Sequence, residues 1–318
     1  MKLLTFSLSN EGPKVGGLLK SGHVVNLQRC LSKYLADVEG IERNHEIASA
    51  LIPDDMMEFI QGGSQSLQGA RLAMEYSSQN HREFTEAGIL VSESNVIHWP
   101  PLRRPGKIIC AGMNFREHVR EVGAALPESP RGFIKVQSTL VGHKWPVIIE
   151  RNMKLIDYEV EVAVVIGKKA RNIPQEEALD CVFGYSVFND VTDRAIQQKE
   201  AGVTTAAKNF DTFAPMGPYL VTKDEVGSPG DLNLSLKVNG ETRQDSNTKY
   251  MIFDIPTLIS YWSGIMTLDP GDVITTGTPE GIAFTMKPDP MQFYLKPGDI
   301  VEAEIRGLGI LANPIKER

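Results

Sequence analysis

Short apolar runs at Leu3–Leu8 and Gly16–Val25 predict strands, and apolar residues at helical spacing follow through Leu31–Val38, Met56–Ile60 and Leu67–Tyr76. Residues 1–98 therefore read as a small α+β domain. The texture changes near Pro100, since 17 of the 19 prolines follow residue 98. From there apolar strands are separated by Gly, Pro, Asn and Asp. Asn239-Gly240 is a strong hairpin signal, and two Pro-Gly-Asp turns, at 270–272 and 297–299, each lead into an apolar strand. Residues 99–318 read as a second, mainly β domain.

Alternation is clearest at Asp157–Gly167, rich in β-branched residues and predicting a strand. Side chains two apart share a strand face, so Glu159 and Glu161 point the same way, with Cα atoms roughly 6.5–7 Å apart. Val165 continues that face as an apolar residue, which sets the acids at the mouth of a core. Two carboxylates about 4 Å apart repel by roughly 4 kcal/mol at an effective dielectric near 20, and a cation relieves this. A solvated edge strand carrying two ordinary acids is the alternative. A second run, Gly184–Asp190, ends in another acid. Joined to the Glu pair, Asp190 completes three hard oxygen ligands with no His or Cys, a set that favours Mg²⁺ or Mn²⁺ over Zn²⁺. Otherwise Asp190 caps a helix starting at Val191.

His118 and Glu121, three apart in Gly112–Val122, are neighbours on a helix, where the carboxylate orients the imidazole and raises its basicity, as a general base requires. A solvated histidine on a charged helix is the alternative. The other five histidines, His143 among them, lie in no comparable context. Lys208–Pro218 and Thr275–Gly281 are rich in turn formers. The latter is no phosphate loop, because no Gly-Lys-Ser/Thr follows, and GxGxxG does not occur.

Composition narrows the field. The 318 residues carry a net charge of -7, which leaves no broad basic surface for nucleic acid. No window approaches the ~18 apolar residues of a membrane span. Three cysteines at long spacing, without CxxC, imply neither a disulfide framework nor a zinc ribbon and suit a reducing compartment. Met1–Leu8 has too short an apolar run for a signal peptide and lacks the Arg-rich character of a mitochondrial presequence, so the expected location is cytoplasmic, with a mitochondrial one left open.

In this order, Gly112–Phe115 with His118 and Glu121, Asp157–Gly167, Gly184–Gln197, Lys208–Pro218 and Gly271–Pro279 resemble the fumarylacetoacetate hydrolase family, over about Lys107 to Asn313. With its divergent first 98 residues the chain looks most like the longer members, among them the fumarylacetoacetate hydrolase domain-containing type 2 proteins. The resemblance implies a mixed β-sandwich or β-roll catalytic domain, a homodimer, and one Mg²⁺ or Mn²⁺ on Glu159, Glu161 and Asp190. It implies His118 as the water-activating base with Glu121 as partner, Lys208 polarising the substrate oxygen, and Arg194, Gln197 and Thr278 holding a small 2-oxo acid. Around Asp190 many relatives read Asp-x-Thr/Ser-Ala-Arg-Asp, whereas here Asp193 and Ala195 flank Arg194, a departure that bears on substrate preference.

The expected activity is metal-dependent C–C bond hydrolysis of an acylpyruvate-like 2-oxo acid through a metal-stabilised enolate. Oxaloacetate tautomerase or decarboxylase stands close behind, then a hydroxymuconate-type isomerase. From another class, a dimeric scaffold that binds metal and carboxylate without turnover is the alternative. Val122–Arg131, with Pro127 and Pro130, is a candidate lid.

Overall fold

Three antiparallel strands, β1 (Lys2–Ser7), β2 (Lys14–Leu18) and β3 (His23–Asn26), open the chain in the computed structural model, which describes residues 1–9, 11–200 and 204–318. The Asn26 side chain accepts from the Arg29 N–H and so starts α1 (Leu27–Asp37). Next come α2 (Asn44–Leu51), α3 (Met56–Gln61), α4 (Gly63–Gln79), α5 (His81–Glu86), β4 (Leu90–Ser92) and β5 (Ile97–His98). The helical stretches read from periodicity fall within α1, α3 and α4, apart from Val38, which caps α1. Helices α2 and α5 were not anticipated, and each buries a single side chain, Ala48 and Phe84, too little to leave a stripe.

The remaining strands are β6 (Ile108–Gly112), β7 (Arg131–Lys135), β8 (Leu140–Val141), β9 (Val147–Ile149), β10 (Ile156–Asp157), β11 (Val160–Ile166), β12 (Val182–Asn189) and β13 (Thr192–Asp193). After them run β14 (Ala214–Thr222), β15 (Asn233–Val238), β16 (Glu241–Asn247), β17 (Val273–Thr275), β18 (Ile300–Ile305) and β19 (Gly309–Glu317). The intervening helices are α6 (Arg116–Glu121), α7 (Gln175–Ala178), α8 (Arg194–Lys199), α9 (Thr204–Lys208) and α10 (Ile255–Ile265). Asn239 and Gly240, both at positive φ, form the β15–β16 hairpin turn, and the two Pro-Gly-Asp turns precede β17 and β18 as expected.

A large sheet runs β4-β3-β2-β1-β14-β12-β11-β17-β6-β7, and a second runs β16-β15-β18-β19-β9. Strand β11 is central and buried throughout. Val160, Val162 and Val164 pack toward Leu234, Leu236, Val301 and Ala303 of the second sheet. Ala163 and Val165, on the opposite face, share a core with Leu27, Leu31, Phe59 and Ile60 of the helices. The large sheet is thus the middle layer of three. It is continuous across residue 98, since β1 pairs with β14 at Lys2↔Val221 and Leu3↔Leu220. This is the mixed, β-rich architecture expected, with the second sheet supplying the sandwich.

One expected strand is broken. The ladder over 157–167 is interrupted at Tyr158-Glu159, where the chain passes from pairing with β13 to pairing with β12. Side chains take over the backbone donors there: Asn189 Oδ1 accepts from the Glu159 N–H and Gln244 Oε1 from the Val160 N–H, each at 2.9 Å. The break turns Glu159 out of the ladder beside the end of β12.

Candidate active site

Antiparallel pairing of Val160 with Asn189 sets the head of β11 against the end of β12, and the Asp190 N–H donates to the Glu159 carbonyl at 2.9 Å. Glu159, Glu161 and Asp190 are all buried, and one carboxylate oxygen from each lies within 4.8 Å of the others. Asp190 caps no helix. Asp193 caps α8 instead, accepting from the Ala195 and Ile196 N–H groups.

Around the acids stand three buried cations. Lys208, closing α9, reaches Glu159 Oε2 at 2.8 Å and Asp190 Oδ2 at 2.6 Å. Lys135, from β7, reaches Asp190 Oδ1 at 2.7 Å. Arg194, opening α8, donates to Glu159 Oε1 at 2.5 Å, Asp157 Oδ2 at 2.8 Å and Gln197 Oε1 at 2.9 Å. Burial opposes charge on Glu159, but Lys208 and Arg194 outweigh it and hold that carboxyl well below its usual range. Glu161 differs. Burial, then the charges of Asp190 and Glu159, push its carboxyl well above the ordinary value. Its Oε2 accepts from the Gly277 N–H at 3.0 Å, while Oε1 is buried with no partner among the described residues. A cluster of three buried carboxylates that leaves one oxygen without a donor is what a hard divalent cation fits, so this donor set could hold one.

His118 is 7% exposed, and its Nδ1 lies 2.9 Å from Glu121 Oε1 across one turn of α6. Glu121 Oε2 accepts from the Gly281 N–H at 3.0 Å. The loop after β17 therefore feeds both halves of the site, one glycine N–H to Glu161 and another to Glu121. At Gly281, φ is +96° and a Cβ would sit 2.2 Å from the Arg243 carbonyl, so only glycine fits. Thr278 lies between, its hydroxyl accepting from Gln244 Nε2 at 2.9 Å.

A cavity of about 600 Å³ opens over these groups. His118, Glu159, Arg194, Gln197, Lys208 and Thr278 line it; Val122, Phe133 and Phe284 supply apolar wall. Glu121, Glu161 and Asp190 stand behind this lining, so all nine residues singled out in the sequence converge. Sequence reasoning passed over Lys135, Asp157 and Gln244. Asp157 sits one strand period before Glu159, so alternation pointed to it. Lys135 and Gln244 arrive from distant strands with no local signal.

The geometry is matched by ancestry. Residues 107–316 fit the family model described as fumarylacetoacetate (FAA) hydrolase C-terminal. The chain belongs to the fumarylacetoacetate hydrolase family. It is an enzyme of that family, 41% identical over 265 residues to the protein named oxaloacetate tautomerase fahd2, mitochondrial, from Xenopus laevis, spanning 83% of this chain and 79% of that one. Among solved structures, fumarylacetoacetate hydrolase from psychrophilic Exiguobacterium antarcticum is 30% identical, with a TM-score of 0.77 over the whole of both chains. Maleylpyruvate hydrolase from Sphingobium sp. SYK-6, in complex with manganese(II) ion and pyruvate, is 27% identical, with a TM-score of 0.73 over 100% of this chain and 99% of that one. No helix among the described residues is long and apolar enough to cross a membrane.

Proposed function

We propose that this family enzyme hydrolyses a C–C bond in an acylpyruvate-like 2-oxo acid, with Mg²⁺ or Mn²⁺ held by Glu159, Glu161 and Asp190. The observation that carries the reading is the buried cluster of Glu159, Glu161 and Asp190, in which one Glu161 oxygen has no partner among the described residues, beside the His118–Glu121 pair. Manganese(II) and pyruvate in the structure of the maleylpyruvate hydrolase support it. When bound, the ion supplies a Lewis acid for the negative charge that develops on the 2-oxo oxygen.

The chain's own residues do the rest. Glu121 Oε1, 2.9 Å from His118 Nδ1, orients the ring so that Nε2 is the nitrogen that takes a proton from water. That water adds to the carbonyl beyond the methylene carbon. The bond between them breaks, its electron pair passes to the methylene carbon, and a returning proton yields pyruvate and a free acid. Lys208 puts positive charge where the oxyanion grows, and its ion pairs hold it protonated. Arg194, Gln197 and Thr278 bind the carboxylate end.

Oxaloacetate keto–enol tautomerisation is the second reading. The 41% identity to an oxaloacetate tautomerase favours it, and it needs the same proton transfer at carbon without a water. One experiment tests both: acetylpyruvate, fumarylpyruvate and oxaloacetate incubated with Mg²⁺, Mn²⁺ or EDTA, following enol absorbance and pyruvate release. EDTA-sensitive pyruvate release from an acylpyruvate, lost in His118→Ala, is the expected result. Loss of enol absorbance from oxaloacetate alone selects the second reading, and no EDTA-sensitive change on any of the three acids overturns both.

A further inference from the structure

Strand β7 forms an edge of the large sheet and runs from the floor of the cavity to its mouth. Alternate residues share a strand face, so Lys135, Phe133 and Arg131 form one row. Two contacts fix which way that row looks. Lys135 reaches Asp190 at the floor, and the Phe133 ring lies 5.2 Å from Lys208 Nζ. Arg131 is the outermost member, roughly 13–14 Å of strand beyond Lys135. It pairs with Gly112 at the cavity rim and itself lines the cavity.

Every other charged side chain lining the cavity is matched within the protein. Glu159 has Arg194 and Lys208, Arg194 has Asp157 as well, and His118 has Glu121. Arg131 makes no ion pair within 4 Å among the described residues. Phe133 stands between Arg131 and Lys135 in the row, and Val122 and Phe284 add further apolar surface to the cavity lining. A ligand complementary to this arrangement has an anionic head at Arg194, a carbon chain along the wall, and a second anion at the mouth.

We propose that Arg131 is a specificity-determining residue, binding a carboxylate at the far end of the acyl chain, so that the preferred substrate is a 2-oxo acid with a distal second carboxylate. This deepens the proposed function and rests on it. An unpaired arginine at a cavity rim suits bidentate recognition of a carboxylate, and salt screens it more than the buried pairs below.

The test compares fumarylpyruvate, which carries the second carboxylate, with acetylpyruvate, which ends in a methyl group, in the full-length protein with Mg²⁺. Arg131→Gln is expected to raise KM for fumarylpyruvate ~10- to 100-fold and leave that for acetylpyruvate within about twofold. Arg131→Lys should recover part of the loss. Added salt should narrow the preference of the unsubstituted protein for fumarylpyruvate but not that of the Gln variant. Equal effects on both acids, or an unchanged KM for fumarylpyruvate, overturn the assignment while C–C hydrolysis stands. A protein that turns over neither acid overturns the proposed function, and the assignment with it.

Discussion

At the scale of single residues, the site is organised by which buried charges are matched. Glu161 is the unmatched one, burying a carboxylate oxygen with no donor beside two other acids. Glu161→Gln removes both the repulsion and a ligand. We expect the metal-free variant to melt at a higher temperature than the metal-free parent, and its Mg²⁺ affinity to fall at least ~10-fold; calorimetric titration and thermal melts read the two effects. Unaltered Mg²⁺ binding would remove Glu161 from the ligand set. Asp157 is the converse case, a saturated carboxylate. It accepts from the Tyr158, Ala283 and Phe284 N–H groups and from Arg194 Nε, so it ties the substrate-facing guanidinium to the segment bearing Phe284. Asp157→Asn keeps the shape but strips Arg194 of a buried partner. It should cost about 3–5 kcal/mol of stability and raise KM for any 2-oxo acid more than it lowers kcat. Denaturant melts and steady-state kinetics on the folded fraction check this, and an unchanged KM would confine Asp157 to a structural role.

At the scale of elements, two histidines that looked unremarkable in the sequence meet between β5 and β19. His98 and His143 pack edge-on with centroids 5.3 Å apart, and His143 Nδ1 accepts from the Ala312 N–H. Burial lowers both, His143 to about 4 with His98 and Lys144 adding to the effect, while Glu93, 3.6 Å from His98, partly opposes it there. Above pH 6.5 both rings are neutral folded or unfolded and contribute nothing. As pH falls from 6.5 toward about 4, the unfolded chain takes up protons that the folded one refuses, and stability drops. We expect a loss of about 3 kcal/mol from His143 over that window, with His98 adding to it, and the double substitution His98→Asn, His143→Asn should flatten the limb in urea melts run from pH 7 to 4. An unchanged limb would assign the acid sensitivity to other groups. The element scale also marks where sequence reading succeeds. Asp157–Gly167 declares its strand and its acidic face because alternation is a local property, and Asn239-Gly240 declares its turn for the same reason. The break at Tyr158-Glu159 is not legible, because it depends on Asn189 and Gln244 delivering side-chain acceptors from two other strands. Lys135 was missed on the same grounds: its partner Asp190 lies 55 residues away.

At the scale of the whole molecule, the large sheet joins the first strands to the strands that carry the site, and we propose that residues 1–98 are not an independent folding unit. Phe59 of α3 meets Phe183 of β12 edge-on at 6.3 Å, inside a core that also holds Val165 of β11. Two strands beyond β12, β1 adds to β14 through main-chain hydrogen bonds. Truncating that contact by Phe59→Ala should cost about 3–5 kcal/mol. Because the lost packing spans both segments, the variant should still unfold in one transition, at a lower urea midpoint. The same continuity makes the metal a probe. An ion bound only by the folded state at 100 times its Kd adds about 2.7 kcal/mol to global stability. Amide exchange in α1 and α3 should therefore slow with Mg²⁺ and quicken with EDTA, although no proposed ligand lies on either helix. Two separate melting transitions, or protection confined to β11 and β12, would mean that the first 98 residues fold on their own and the shared sheet does not couple them to the site.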